Sequence, residues 1–146
     1  MKVYLDLCSL QRPLDSKNQV RIIIEAESIL AVLSLIEIGE IALVSSEALV
    51  YEAGRNPNPS RKEYALDALL QAKTFIKIDS KIEQRSEQFI AKGVSVLDSL
   101  HLACAESAKV DCFCTCDDKF YKKAKLIHDL KIQVVSPIEL IEEIEK

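Results

Sequence analysis

A three-layer α/β/α fold with a central, mainly parallel five-stranded sheet is the architecture this sequence predicts, and three observations predict it. Short apolar runs at Lys2 to Leu7, Ile41 to Val44, Thr74 to Ile78, Asp111 to Cys116 and Ile132 to Val135 alternate with stretches of helical apolar spacing. Each run is followed by enough chain for a helical crossover, which a parallel connection requires. No linker interrupts the 146 residues, 49% hydrophobic and 29% charged, so residues 1–146 read as one compact domain. A chain of this length can bury roughly two thirds of its unfolded surface.

The elements follow in order. Lys2 to Leu7 is a short strand carrying Asp6 near its end, with a loop containing Pro13 behind it. Ser16 and Gln19 have the spacing of a capping box. Ile22, Ile23, Ile29, Leu30, Leu33 and Ile36 then give the longest helix an apolar face that stops at Gly39. After the second strand, Ser46 caps a helix running toward Gly54, and Asn-Pro-Asn-Pro-Ser turns the chain before a helix from Arg61 to Ala72. Ser80 with Glu83 opens the helix after the third strand, and Gly93 closes it. Ser95 caps the helix of Asp98 and His101; the fourth strand and a helix from Asp118 to His128 follow. Beyond the fifth strand, Ser136, Pro137 and Glu139 combine an N-cap, a first-position proline and a capping acid to open the last helix.

Composition removes several function classes. A net charge of -4 argues against coating nucleic acid by bulk electrostatics. Local basic clusters remain at Arg12, Lys17 and Arg21, at Arg55, Arg61 and Lys62, and at Lys119, Lys122, Lys123 and Lys125; each reads equally as a solvated helix face. With only 3 glycines there is neither a dinucleotide turn nor a P-loop, so nucleotide cofactors fall away. No apolar run approaches the ~20 residues of a membrane span, and the expected location is cytoplasmic, away from membranes. The 5 cysteines are odd in number, and Cys112, Cys114 and Cys116 alternate along one strand, which predicts reduced, packed thiols; Cys8 reads the same way.

What remains is a set of acids at strand ends and helix starts. Asp6 follows the first strand, Glu47 and Glu52 lie on the helix after the second, Asp98 opens a helix, and Asp117 and Asp118 follow the fourth strand. Carboxylate oxygens without a His or Cys set suit a hard cation, Mg²⁺ or Mn²⁺, and not zinc. Gathered carboxylates repel when ionised, and a cation that neutralises them can serve phosphoryl chemistry. Each acid also has a purely structural use. Asp98 can complete a capping box with Ser95, Asp117 can cap the next helix, Asp6 can be a turn residue and Glu52 a solvated helix acid.

The ordered set resembles the PIN-domain nucleases. The carriers are Asp6, a Glu after the second strand, Asp-Ser-Leu-His-Leu-Ala-Cys-Ala from Asp98, and Thr-Cys-Asp-Asp-Lys-Phe from Thr115 to Phe120, nearly end to end. The resemblance implies Asp6, Glu52, Asp98 and Asp117 as a quartet that binds Mg²⁺ or Mn²⁺ and hydrolyses single-stranded or structured RNA. Glu52, six residues after Ser46, matches the motif better than Glu47, which stands at the helix entrance where acids favour the dipole. Thr115 resembles the family's hydroxyl beside the site. Lys119 departs from the pattern, standing where many relatives carry an acid, with Asp118 as a replacement. His101, three residues after Asp98, either reaches a phosphate or water or packs among Leu100, Leu102 and Ala105. Arg12, Arg55 or Lys119 would hold the phosphate backbone. Many small proteins of this type are VapC-like toxins, so the resemblance further implies an antitoxin partner and a homodimer. The competing reading is a PIN-like module that binds protein or RNA without cleaving.

Overall fold

The computed structural model describes residues Met1–Lys146. Strands β1 (Lys2–Leu5), β2 (Ala42–Ser46), β3 (Thr74–Ile76), β4 (Cys112–Cys114) and β5 (Gln133–Val135) form one sheet in the order β3-β2-β1-β4-β5, with every pairing parallel. The chain walks outward from β1 to β3, then returns across the sheet to β4 and walks the other way. The carboxyl ends of β1 and β4 therefore form the switch point of the sheet, where open α/β folds keep their crevice.

Helices α1 (Leu7–Leu10), α2 (Val20–Glu37), α3 (Glu47–Gly54), α4 (Pro59–Leu69), α5 (Ser80–Ala91), α6 (Val96–Ser107), α7 (Asp118–Lys125) and α8 (Pro137–Glu145) supply the crossovers, with a 3₁₀ turn at Arg12–Leu14. The register pairs Tyr4 with Phe113 and Leu5 with Cys114. On one face of the sheet Tyr4 stacks on Phe113 with centroids 5.0 Å apart, and Phe113 meets Phe120 of α7 edge-on at 5.5 Å. On this side α6 packs on α5; on the other, α2 packs against α8, and the Ser9 hydroxyl of α1 donates to Cys114 O at 3.1 Å. Val3, Tyr4, Leu5, Leu43, Val44 and Phe113 are all essentially inaccessible, so the core lies on both faces of β1 and its neighbours. All five cysteines are free thiols, and all but Cys8 are buried.

The expected strands are present; β1, β3, β4 and β5 are shorter than expected, β2 starts one residue later and runs on to Ser46, and the loop after β1 folds into α1 and the 3₁₀ turn. Two capping boxes are absent. The first residue before α2 is Gln19, whose side chain makes no capping bond, so Ser16 stays in the loop. Asp79, not Ser80, caps α5 by accepting from Ile82 N at 2.9 Å; a carboxylate one residue earlier takes the cap and leaves Ser80 inside the helix. Helix α4 starts at Pro59, two residues before the predicted Arg61, because Asn58 accepts from Ser60 N and Arg61 N and proline suits the first helical position. At α8 the capping box forms as the sequence predicts: Ser136 Oγ accepts from Glu139 N, and Glu139 Oε1 accepts from Ser136 N. No helix is long and apolar enough to cross a membrane.

Candidate active site

Four acids reach the switch-point crevice from four different elements. Asp6 is the first residue past β1, where its N–H still donates to Cys114 O at 3.2 Å. Its Oδ1 accepts from Ser9 N and from the Cys8 thiol, both at 3.1 Å, and only 6% of the residue is exposed. Burial pushes its pKa up, while hydrogen bonding from Thr115, Cys8 and Ser9 draws it back down. Asp117 follows β4 and caps α7: its Oδ1 accepts from Lys119 N at 3.0 Å and Phe120 N at 3.1 Å. Its own N–H donates to the buried Thr115 Oγ1 at 3.1 Å, which fixes the turn that aims it.

Asp98 sits in the first turn of α6. The Ser95 hydroxyl accepts from Asp98 N and donates to Asp98 Oδ2 at 2.9 Å, so Ser95 caps the helix as expected, but the capping box does not close, the carboxylate meeting the hydroxyl and not the Ser95 N–H. Burial raises the Asp98 pKa; Ser95 and His101 oppose the rise, and the charges of Asp117 and Glu52 add to it. Glu52 projects from the last turn of α3, with Oε1 3.0 Å from His101 Nε2. Glu47 is committed elsewhere, its Oε1 accepting from Ile78 N at 2.6 Å behind β3. Of the two glutamates on α3, Glu52 is the one whose charge acts on Asp98.

The flanking candidates divide. Thr115 is buried at the site's floor, 3.7 Å from Cys8 Sγ. His101 is packed, as one reading expected, yet both ring nitrogens are engaged: Nδ1 lies 2.6 Å from the Tyr4 hydroxyl and Nε2 faces Glu52. Asp118 turns away, held by Arg21 at 2.7 and 2.8 Å, and that ion pair lowers its pKa. It is not positioned to replace the acid that Lys119 displaces. Arg12 is spent on Glu25 and Asp15 and so is not free for phosphate. Arg55 is exposed, its Nη1 donating to the Tyr51 hydroxyl at 2.7 Å, and Lys119 is exposed on α7. Arg55, Tyr51, Leu7, Leu97 and Glu52 line a cavity of about 360 Å³. A larger hollow of about 690 Å³ between α5, α6 and the chain before β5 lies far from these acids and is bridged by the Arg85–Glu106 ion pair at 2.7 Å.

As the side chains stand, no three His, Cys, Asp or Glu groups lie close enough together to hold an ion. The donor chemistry nevertheless suits a hard cation. Each of the four acids spends one carboxylate oxygen on its protein hydrogen bonds, and the second is available to a ligand. The like-charge influence of Asp117 and Glu52 on Asp98 is the crowding that a cation relieves.

Sequence reasoning missed Tyr4 and Ser46 as parts of this site. The available signal was a tyrosine flanked by Val3 and Leu5 in a buried strand, whose hydroxyl must find a partner.

The open parallel sheet with acids at the ends of β1 and β4 defines an α/β class of domain, and the comparisons name the family. The PIN domain model matches residues 8–126, and the chain belongs to that family. No curated protein matches it in sequence. Among solved structures it is similar to VapBC2 from Rickettsia felis bound to a promoter DNA fragment, with TM-score 0.61 and 12% identity over 93% of this chain and 98% of that one. VapBC from Salmonella typhimurium, bound to DNA, gives 0.59 and 17% over 94% and 98%. VapC20 of Mycobacterium tuberculosis, a sarcin–ricin loop cleaving toxin, gives 0.56 and 12% over 82% and 93%.

Proposed function

We propose that this protein is a Mg²⁺- or Mn²⁺-dependent endoribonuclease that hydrolyses phosphodiester bonds of single-stranded RNA, acting as the toxin of a toxin–antitoxin pair. The observation that supports the reading is that Asp6, Glu52, Asp98 and Asp117 have no arginine or lysine paired to any of them, while Asp98 feels the charges of Asp117 and Glu52. Asp6, Asp98 and Asp117 would hold the cation, and Glu52 would complete its shell or orient water. A bound ion would neutralise charge in the phosphodiester transition state and make water more acidic. Lys119 and Arg55, both exposed beside the acids, are the cations left to contact the RNA backbone, which positions a strand without reading its sequence.

The partner assignment rests on the likeness to VapBC complexes and on an apolar groove of about 480 Å³ formed by Ala48, Tyr51, Ile78, Val96, Leu97 and Leu100, which shares Tyr51, Arg55 and Leu97 with the hollow that Glu52 lines. It suits an antitoxin segment that covers the acids. An exposed apolar stripe on α2, Val20, Ile23, Ile24 and Leu30, suits a homodimer contact. The test is cleavage of a labelled single-stranded RNA with Mg²⁺ or Mn²⁺. Asp98→Asn should lower the rate at least about a hundredfold, the loss of several kcal/mol of charge stabilisation. Equal cleavage by both proteins would remove the reaction from this site. One observation favours a second reading, a binding module without cleavage: the acids are not gathered into an ion-holding cluster. Chelator-insensitive RNA binding together with no turnover under either cation would select it.

A further inference from the structure

The elements that bear three of the acids are tied together beneath the crevice by a line of polar side chains. Ser46 caps the helix of Glu52, Tyr4 lies two residues before Asp6 on β1, and His101 lies one turn after Asp98 on α6. Ser46 Oγ is 2.8 Å from the Tyr4 hydroxyl, that hydroxyl is 2.6 Å from His101 Nδ1, and His101 Nε2 is 3.0 Å from Glu52 Oε1. Ser46, Tyr4 and His101 are at most 1% exposed, whereas the Glu52 side chain retains 31%. The line runs from a dry interior to an acid that is partly open to solvent.

Its direction follows from donor and acceptor counting. Ser46 Oγ already accepts from Leu49 N at 3.1 Å and has its proton left to give. If Ser46 donates to Tyr4 and Tyr4 donates to Nδ1, a neutral ring carries its proton on Nε2 and donates it to Glu52. Run backwards, the line would put the Nε2 lone pair against a carboxylate, a contact without a proton. We propose that Ser46, Tyr4 and His101 form a directional hydrogen-bond chain that fixes His101 as its Nε2–H tautomer and thereby sets the orientation of Glu52. Tyr4 and His101 are positioning residues: they touch neither substrate nor ion and act through Glu52, as carboxylate- or carbonyl-bonded histidines orient metal sites elsewhere. The inference rests on the reading of Glu52 as a working acid of the crevice.

The test has two arms. First, the ring nitrogens of His101 are observed by long-range ¹⁵N–¹H correlation in metal-free protein at pH 8, where an imidazole is ordinarily neutral, with the exposed His128 replaced by His128→Gln so that one histidine remains. The expected spectrum is that of the Nε2–H tautomer; an Nδ1–H or imidazolium spectrum overturns the proposal. Second, Tyr4→Phe keeps the ring on Phe113 and removes only the hydroxyl, so it should retain the fold and, with Nδ1 no longer anchored, lower kcat about tenfold with KM unchanged. An unchanged kcat in Tyr4→Phe also overturns it. Absence of RNA cleavage by the wild-type protein would sink the nuclease reading alone, since the spectra still decide whether the chain is directional.

Discussion

Glu25 and Asp6 are buried to nearly the same degree, 1% and 6% exposed, in opposite surroundings. Glu25 sits inside the apolar run of α2 with Arg12 Nη2 2.9 Å from its Oε1 and Arg21 Nε 3.4 Å from its Oε2. Asp6 has no cation at all; a thiol and a backbone N–H are its partners. The first acid is paired by the protein's own arginines. The second has no countercharge and burial disfavours its ionised form, which marks a group kept for something the protein does not contain. Around Glu25 the pairing continues, from Arg21 to Asp118, from Arg12 to Asp15 and from Asp15 to Arg61 at 2.9 Å, fastening α2, the 3₁₀ turn, α4 and the start of α7 into one frame beside the crevice. The crevice acids have no such frame of cations.

The comparison breaks most visibly at Glu25. Glu25→Ala should destabilise the fold by about 2 kcal/mol, below the usual range for breaking a buried pair because Arg12 and Arg21 keep access to water, and should lower Tm by roughly 4–8 °C. A calorimetric scan with no shift would show the pair to be dispensable and the contrast with Asp6 empty.

Asp6→Asn should act in the other direction. The folded protein raises the Asp6 pKa by burial, so between the unfolded and folded values the native state binds more protons than the unfolded chain. Stability is then full below the unfolded value, near 4, and is lost as pH rises through the folded one. The amide carries no charge to desolvate and still accepts from Ser9. Its urea midpoint should exceed the wild type's at pH 8, and the gap should close below pH 4, the stability gain that accompanies loss of a working acid. A variant less stable than wild type at pH 8 would contradict the assignment of Asp6 as an unpaired, strained charge.

The smallest effect is expected at Asp118→Asn. Arg21 and Asp118 are exposed, at 46% and 65% of their side chains, so their pair is screened by water and salt. Tm should change by less than about 2 °C, and less still in 1 M salt. Cleavage should persist. A loss comparable to that of Asp98→Asn would return Asp118 to the site in the place that Lys119 leaves.

Much of the fold is legible in the chain because its signals are local. Apolar runs of strand length separated by helical spacing, Pro59 and Pro137 at first helical positions, and Ser46, Ser95 and Ser136 before apolar faces specify the elements within a few residues. The missed details are also local, but competitive: Asp79 outbids Ser80 as a cap, and the segment after β1, read as loop, gains a helical turn because Asp6 itself caps it. The crevice was readable in outline because acids that directly follow parallel strands or open the next helix must lie at the carboxyl edge of the sheet.

By itself the sequence determined the alternation of strands and helices, and with it the edge on which Asp6, Asp98 and Asp117 stand. Only the tertiary structure decided which charges are spent and which are free. Arg21 meets Asp118, and Tyr4 meets His101, across 97 residues of chain in each case, and Glu47 meets Ile78 across 31. Periodicity and capping are set by neighbours in sequence, whereas pairing across such separations depends on how the crossovers bring the elements together. That folding step removed Arg12, Glu47 and Asp118 from the candidates and turned His101 toward Glu52.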